Sequence, residues 1–274
     1  MNYRAYWNTA KSRRHKDNED SLMFSEYTFM GDVTIRLIVI TDGMGGMKNG
    51  DRASRNALTG FLEGFYCQIM KAYMKPQMME YSLTYDIQKV QKAMVEAVKA
   101  ANRSVLREVD RLEESGSTIS AVCIMDDFAV TINVGDSPIY YYDCREKSLT
   151  LKSQLQTEAE YRADRGEYER YSREYYADDH RLKFYLGRFQ EISEEHMGVY
   201  MISKLRPGDV ILLGSDGSFG RMSEDTISLE LEESLQGGEE TEQFFLDNLF
   251  QIARAEKEDD QTAFVYIVED EEEE

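Results

Sequence analysis

Two long stretches of the chain repeat apolar residues at intervals of three or four positions. The first covers about residues 51–74, and its recurring residues are Ala53, Ala57, Phe61 and Phe65. The second covers about residues 85–112, and its recurring residues are Ile87, Val90, Met94, Ala97, Ala101, Val105, Val109 and Leu112. Because such positions share one side of a helix, both stretches predict amphipathic α-helices. A third helix is predicted over about residues 240–255.

Shorter stretches have the patterns of β-strands. Residues 35–41 and 210–214 are continuous apolar runs, which are typical of fully buried strands. Residues 128–134 alternate between two kinds of side chain and follow residues 119–125 across a short polar break, which predicts a hairpin. Residues 140–142 and 262–268 predict two more strands. Since strands come in clusters and helices in pairs, the pattern favours an α+β fold over a doubly wound sheet.

The rest of the chain gives no sign of a second domain. We find no internal repeat and no linker rich in proline or serine, and only 3 prolines occur in 274 residues. We therefore predict a single domain over residues 1–274. Residues 269–274 are all acidic, which predicts a solvated tail at the end of that domain.

Composition excludes several classes of function. The chain has 52 Asp and Glu residues against 32 Lys and Arg residues, a formal net charge of −20. Nucleic acids and anionic membranes need a positive field, so we expect neither as a partner. The chain has no apolar run of the ~20 residues that span a bilayer and no secretory signal, so we expect a cytoplasmic protein. Three unpaired cysteines and three scattered histidines predict neither a disulfide framework nor a zinc or histidine cluster.

Aspartates fall at the ends of four predicted strands. They are Asp42, Asp136, Asp216 and the pair Asp259-Asp260, and glycine flanks three of the four positions. Any one Asp-Gly pair is also a common turn signal. If the four ends share one rim, however, their carboxylates cannot all stay ionised without a cation. An oxygen-only cluster of this kind suits Mg²⁺ or Mn²⁺ rather than zinc.

Short motifs in a fixed order resemble those of the metal-dependent protein Ser/Thr phosphatases of type 2C, in their bacterial form. Six segments covering nearly the whole chain carry the resemblance: Asn18–Ser21, Thr41–Gly46 with Gly50–Ser54, Gly116–Thr118, Asn133–Ser137, Pro207–Asp209 leading to Ser215–Gly217, and Asp259–Thr262. Each motif alone is weak evidence, but six in the right order are a strong signal.

The resemblance implies a fold, a metal centre and a reaction. The fold would be a four-layer α-β-β-α sandwich with two central, mostly antiparallel sheets flanked by helices. The centre would hold two Mn²⁺ or Mg²⁺ ions, through ligands that the resemblance places at Glu19, Asp20, Asp42, Gly43, Asp136, Asp216 and Asp259. Asp42 would bridge the ions, Glu19 and Asp20 would act mostly through water, and Gly43 would use its carbonyl.

The implied reaction is hydrolysis of phosphoserine or phosphothreonine in a phosphoprotein substrate. A hydroxide that bridges the two ions would attack phosphorus, so no nucleophilic Ser or Cys is required. Asp42, Asp216 and Asp259 are the expected catalytic carboxylates, and we expect the protein to be a monomer.

This sequence departs from the family pattern at three positions of the site. The arginine that grips phosphate is replaced in register by His15, so Arg14, the neighbouring Arg13 or His15 itself would take that role. Gly220 stands where the family has an aspartate for a third metal ion, which leaves that ion without its usual ligand. Asp260 replaces an asparagine, and it would either act as an outer acceptor or exchange roles with Asp259. These departures keep an alternative open, a catalytically inactive regulatory or binding module.

A charged segment rich in tyrosine stands where the family has a flap beside the active site. It covers about residues 152–187, and its tyrosines Tyr161, Tyr168, Tyr171 and Tyr175 recur at helical spacing. One hypothesis is a helical flap that selects phosphoprotein substrates or binds a partner. The other is a surface helix with a half-buried stripe of tyrosines.

Overall fold

The computed structural model describes residues 2–29, 33–44, 49–73, 86–108, 115–219, 221–237 and 239–270, which form two five-stranded antiparallel sheets and seven α-helices. The first sheet has the order β1 (Asn2–Ala10), β10 (Gln261–Glu269), β9 (Val210–Gly214), β6 (Ile139–Asp143) and β7 (Ser148–Leu151). The second has the order β2 (Asp20–Phe29), β3 (Val33–Asp42), β4 (Ile119–Met125), β5 (Phe128–Val134) and β8 (Gly198–Ser203). The helices are α1 (Gly50–Tyr73), α2 (Ile87–Glu108), α3 (Glu158–Asp164), α4 (Arg173–Asp178), α5 (Asp216–Phe219), α6 (Glu224–Gly237) and α7 (Glu239–Glu256).

Three buried clusters hold four layers together. Helices α1 and α2 pack on the outer face of the second sheet, where Phe61, Phe65 and Met94 are fully buried. A second cluster lies between the sheets. A third packs α6 and α7 on the outer face of the first sheet, with Phe245 and Leu249 at its centre. The α+β sandwich of four layers expected from the sequence is therefore confirmed.

The predicted elements with strong periodicity match the structure closely. The hairpin of residues 119–125 and 128–134 is β4 and β5, which pair in antiparallel register. The third predicted helix is α7. The first two are α1 and α2; the predicted continuations at Met74, Tyr85, Val109 and Leu112 lie outside the described residues. Much of the predicted acidic tail, from residue 271 onward, lies outside them as well.

The strand register brings the ends of several strands to one rim of the sandwich. In the second sheet Asp20 pairs with Asp42, and Ile119 pairs with Val134, so the end of β3 lies beside the start of β4 and the end of β5. In the first sheet Gly214, at the end of β9, pairs with Ala263 near the start of β10. The predicted aspartates lie at these strand ends, with Asp259 and Asp260 just before the start of β10.

The tyrosine-rich segment folds as two short helices rather than one. Thr157 caps α3 and Ser172 caps α4 through their side chains, and Gly166 between them has a φ of 72°. The expectation of a single helix with a tyrosine stripe is therefore wrong, because these caps and the left-handed glycine end one helix and start another. Tyr175 is buried, whereas 56% of Tyr171 is exposed.

The base of this segment is a short ladder of backbone hydrogen bonds. Glu158 N donates to the Arg181 carbonyl at 2.8 Å, and Lys183 N donates to the Gln156 carbonyl at 2.8 Å. We call residues 157–182 the flap segment. In the part of the chain that the structure describes, no helix has both the length and the apolar character needed to cross a membrane.

Candidate functional site

The edge where β2 begins and β3 ends carries two aspartates side by side. Thr118 fixes the backbone of Asp42, since its Oγ1 accepts from Asp42 N at 3.1 Å and its N donates to the Asp42 carbonyl at 2.8 Å. Ser215 Oγ donates to Asp20 Oδ2 at 2.8 Å. Asp20 Oδ1 is buried and has no hydrogen-bond partner among the described residues. A buried acceptor without a donor is suited to contact a cation.

Glu19 lies beside this pair in a cradle made by two glycines. Gly43 N donates to the Glu19 carbonyl at 3.0 Å, and a Cβ on Gly43 would lie 2.2 Å from the Gly50 carbonyl oxygen. A Cβ on Gly50 would lie 2.7 Å from Glu19 Cδ, so only glycine fits at Gly43, and a larger residue at Gly50 would displace the Glu19 carboxylate. Desolvation and the charges of nearby carboxylates raise the pKa of Glu19 to about 7, although His15 opposes the rise. Glu19 Oε2 is buried and lacks a described partner.

Two further aspartates approach from the first sheet, with a lysine between them. Asp216 begins α5 directly after β9, and Asp259 lies just before β10. Lys257 Nζ forms an ion pair with Asp259 Oδ2 at 3.1 Å and a second ion pair with Asp216 Oδ2. The approach is close, because a Cβ on Gly217 would lie 2.0 Å from the Asp260 carbonyl oxygen. Lys257 therefore supplies positive charge at the point where two carboxylates converge.

Electrostatic coupling links five aspartates of this rim into one group. They are Asp20, Asp42, Asp136, Asp216 and Asp259. Desolvation and the charges of the other four hold the pKa of Asp42 well above its ordinary value. Desolvation and the charge of Asp216 likewise raise the pKa of Asp136, although Lys257 opposes that rise. Ionisation of Asp42 and Asp136 is therefore costly unless additional positive charge reaches them.

The donor set fits a hard divalent cation such as Mg²⁺ or Mn²⁺. The group offers carboxylate oxygens and no thiolate, and two of its acceptor atoms, Asp20 Oδ1 and Glu19 Oε2, are buried without a described partner. Such oxygen donors are the ligands that these cations prefer. A histidine stands at the margin, since ligand atoms of His15, Glu19 and Asp260 lie within 4.8 Å of one another. The sequence analysis did not expect any histidine near the carboxylates, and the structure places His15 beside Glu19 and Asp260.

Asp260 has a role that the sequence left open between two alternatives. Its Oδ1 accepts from Ser12 N at 2.6 Å, and its Oδ2 accepts from Glu19 N at 2.8 Å and contacts His15 Nδ1 at 2.9 Å. With these partners Asp260 ties the loop between β1 and β2 to the start of β10. The geometry favours the outer acceptor over an exchange of roles with Asp259.

The three candidates for gripping phosphate lie in different surroundings. Arg13 N donates to Glu258 Oε1 at 2.8 Å and Arg14 N donates to Ser12 Oγ at 3.0 Å, while the side chains of Arg13 and Arg14 are exposed. His15 instead faces the carboxylates. Burial opposes its charge, but the hydrogen bond to Asp260 and the charge of Asp260 raise the pKa of His15. Gly220, the position of the third-ion aspartate, lies outside the described residues.

Lys257 is the site residue that the sequence analysis missed. It lies in no recognised motif, and its partner Asp216 is 41 residues away in the chain. The available signal was weak: a lysine two residues before the acidic pair Asp259-Asp260. Only the folded arrangement of α5 against the start of β10 shows that its ammonium group reaches both carboxylates.

A cavity of about 510 Å³ opens from the rim toward the flap segment. Asp136, Asp216 and Lys257, all at the rim, are among its lining residues. Residues of the flap segment, of strands β6, β7 and β8 and of the start of α6 also line it. The flap segment therefore forms one wall of a cavity that also reaches the carboxylates.

The chain matches the family model described as protein phosphatase 2C over residues 9–264. It is 25% identical over 196 residues to a Streptococcus pyogenes serotype M6 protein described as protein phosphatase 2C-type, a match that covers 70% of this chain and 71% of the relative.

Solved structures of phosphatases have a similar fold. The Mycobacterium tuberculosis serine/threonine phosphatase PstP/Ppp is 24% identical, with a TM-score of 0.69, covering 98% of this chain and 99% of the other. A catalytic domain of the serine/threonine phosphatase PstP, solved in complex with two manganese ions, is 25% identical with a TM-score of 0.64, covering 98% and 99%.

Proposed function

The chain belongs to the protein phosphatase 2C family, and from that premise we propose that it is an active, metal-dependent phosphatase of phosphoserine and phosphothreonine in proteins. The observation that carries the proposal is the convergence of Asp20, Asp42, Asp136, Asp216 and Asp259 on one rim, coupled by their charges. A family member that had lost its reaction would have no need to keep so many desolvated carboxyl groups together.

Two Mn²⁺ or Mg²⁺ ions are the cofactors that we propose. The structure of the PstP catalytic domain with two manganese ions supports this choice, as does the oxygen-rich donor set of this chain. When bound, such ions supply a water of lowered pKa and neutralise charge on the phosphoryl oxygens. Asp42, Asp216 and Asp259 would be the direct ligands, with the carbonyl of Gly43, while Glu19, Asp20 and Asp136 would complete the set.

The residues of the chain prepare this site before any substrate arrives. Thr118 fixes the backbone of Asp42, and Ser215 fixes the carboxylate of Asp20, through hydrogen bonds. Asp260 fixes the backbone at Glu19. Orientation fixed in advance lowers the reorganisation needed during the reaction. His15, which faces the carboxylates, is our candidate to orient the phosphate of the substrate.

Hydrolysis of a phosphothreonine peptide with and without Mn²⁺ tests the proposal. We expect turnover that depends on the metal and that Asp216→Asn reduces at least about a hundredfold, because the substitution removes a direct ligand charge. Glu233→Gln, an exposed change on α6 outside the site, is the matched control and should keep full turnover. A folded wild-type protein without turnover at any metal concentration would instead support the inactive module.

A further inference from the structure

The cavity between the rim and the flap segment is lined by aromatic rings. Tyr140 meets Phe219 edge to face at 5.4 Å between ring centroids. Tyr171 and Tyr176 flank Tyr175, each at 5.7 Å. All five side chains line the cavity. Ring faces carry partial negative charge, so a wall of this kind attracts cations as well as apolar groups.

Tyr171 holds an unusual conformation at the edge of this wall. Its φ is 65°, in the left-handed region that residues with a side chain rarely adopt, and its ring lies against Tyr175. Such local strain persists only where the surrounding structure enforces it, and it is frequent at functional sites. More than half of the Tyr171 side chain remains exposed, so the ring is accessible to a ligand.

The cationic side chains around the cavity are already paired. Among the described lining residues these are Arg170, Lys183, Arg221 and Lys257. Arg170 pairs with Glu160 and Asp164, Lys183 with Glu158, Arg221 with Asp179, and Lys257 with Asp216 and Asp259. An anionic ligand in this cavity would have to displace a carboxylate from each of them.

One carboxylate that lines the cavity, Glu224, has no cationic partner among the described residues. Glu224 lies in the first turn of α6. Tyr140 and Tyr171 line the same cavity as Glu224. A carboxylate without a counter-ion beside aromatic rings has the chemistry that binds an ammonium or guanidinium group.

We propose that this cavity is a subsite for a cationic side chain, an arginine or lysine that flanks the phosphorylated residue of the substrate. Aromatic faces at Tyr140 and Tyr171 would cover the cation, and Glu224 would pair with its charge. The cavity is continuous with the carboxylate rim through Asp136 and Asp216, so one peptide can occupy both. This inference rests on the proposed phosphatase function, whose substrate class it narrows to phosphopeptides with a basic flanking residue.

The walls of the subsite are held in place from both ends. At the base, Gln156 N donates to the Gly135 carbonyl at 3.0 Å, next to Asp136. At the far end, Arg221 lies over the Tyr176 ring at 4.5 Å and donates from Nε to Asp179 at 3.1 Å. The flap segment is thus attached to the body of the molecule just before its first residue and again at Tyr176 and Asp179. A subsite that is formed in advance loses less binding free energy to ordering of its walls.

Kinetics on a series of phosphothreonine peptides test the inference. A single arginine is moved through the flanking positions of an otherwise alanine background, and kcat/KM is measured for wild type, Glu224→Gln, Glu224→Lys and the control Glu233→Gln. We expect arginine at one position to raise kcat/KM about tenfold, because aromatic faces and a carboxylate would both attract its charge. Glu224→Gln should remove most of the gain in kcat/KM from arginine, and Glu233→Gln should preserve that gain. Glu224→Lys should instead prefer the peptide that has glutamate in place of arginine at the same position.

Turnover of para-nitrophenyl phosphate separates this inference from the proposed function, since that substrate has no flanking side chain. It should be unchanged in all three variants. Equal rates for every peptide, together with normal aryl phosphate turnover, would overturn the subsite and leave the phosphatase standing. If no substrate turns over, the proposed function fails. Fluorescence anisotropy with the same labelled peptides then decides the subsite, because arginine-dependent affinity lost in Glu224→Gln supports it and equal affinities overturn it.

Discussion

Lys257 places a positive charge between two carboxylates that the proposed metal ions also require. Its side chain is 29% exposed, and its ion pairs with Asp216 and Asp259 join two segments that are distant in the chain. Such a residue has two opposite effects. It stabilises the protein without metal, and it competes with a divalent cation for the same oxygens.

Lys257→Met therefore should change stability and metal affinity in opposite directions. We expect the metal-free variant to lose about 1–3 kcal/mol of unfolding free energy, since carboxylates that were paired lose their counter-ion. We also expect Mn²⁺ to bind more tightly. Urea unfolding and calorimetric titration measure the two effects, with Lys92→Met on exposed α2 surface as control. Equal weakening of stability and of metal affinity would contradict the competing role of Lys257.

A comparison of His15 with its neighbours tests which residue orients the phosphate. We expect His15→Ala to lower kcat/KM for a phosphothreonine peptide by at least about tenfold, the usual loss for a charged hydrogen bond to substrate. Arg13→Ala and Arg14→Ala should stay within about twofold, because their side chains are exposed and exposed charges contribute little. A larger loss in Arg14→Ala than in His15→Ala would reverse the assignment.

At the scale of elements, predictability followed burial. The hairpin of β4 and β5 could be predicted because both strands are buried along their whole length and show their pattern plainly. Strand β1 could not, because it lies at a sheet edge and mixes half-buried and exposed residues of many types. Strand β8, another edge strand, has three exposed or half-exposed residues in succession. Edge strands lack the two-sided burial that produces a readable pattern.

The site residues divide in the same way. Those that belong to a local motif could be predicted, whereas contacts between residues far apart in the chain could not. Motifs such as that at Asp42 predicted which carboxylates to consider, because strand end and glycine turn are adjacent in the chain. The pairing of Lys257 with Asp216 and the place of Glu224 in the cavity could not be predicted. The first depends on how α5 packs against β10, and the second on where the start of α6 lies beside the cavity, which no local pattern encodes.

Excision of the flap segment tests whether it contributes to the binding of phosphopeptides. Its ends are joined by the Glu158–Arg181 and Lys183–Gln156 backbone hydrogen bonds, so residues 158–181 can be replaced by a short glycine-serine linker. We expect phosphopeptide kcat/KM to fall at least about tenfold, because the aromatic wall is lost. Aryl phosphate turnover should change by less than about twofold, since the carboxylate rim remains. Equal losses on both substrates, measured side by side, would show that the segment supports the rim itself.

At the scale of the whole molecule, the net charge of −20 has two components. One is a surface excess of carboxylates, which favours solubility. The other is the group of desolvated carboxyls at the rim, whose charge the proposed cations would neutralise. An acidic protein that handles an anionic phosphate needs local positive charge, and the bound cations together with His15 would provide it.

The raised pKa values predict how stability changes with pH. In the metal-free protein the folded state binds protons at Glu19 and Asp42 more tightly than the unfolded chain does. The stability that this contributes is fully present below the ordinary carboxyl pKa, and it is lost as pH rises through the raised values, near 7 for Glu19. The raised pKa of His15 acts in the same direction.

We therefore expect Tm of the metal-free protein to fall by on the order of 5 °C between about pH 5 and pH 8. Saturating Mn²⁺ should remove most of this dependence. Asp42→Asn should raise the metal-free Tm at pH 8, because it relieves repulsion within the group. Thermal scans across pH measure all three, and a metal-free Tm that rises over this range would contradict the coupled carboxylates.

Calorimetric titration of the metal-free protein with Mn²⁺ tests the central claim most directly, namely that the rim carboxylates form a two-cation centre. We predict two Mn²⁺ ions per chain for the wild type and loss of at least one in Asp42→Asn, the carboxylate coupled to the other four. Glu233→Gln should bind as the wild type does. A folded wild-type protein that binds no Mn²⁺, or an Asp42→Asn variant that binds it unchanged, would contradict the account.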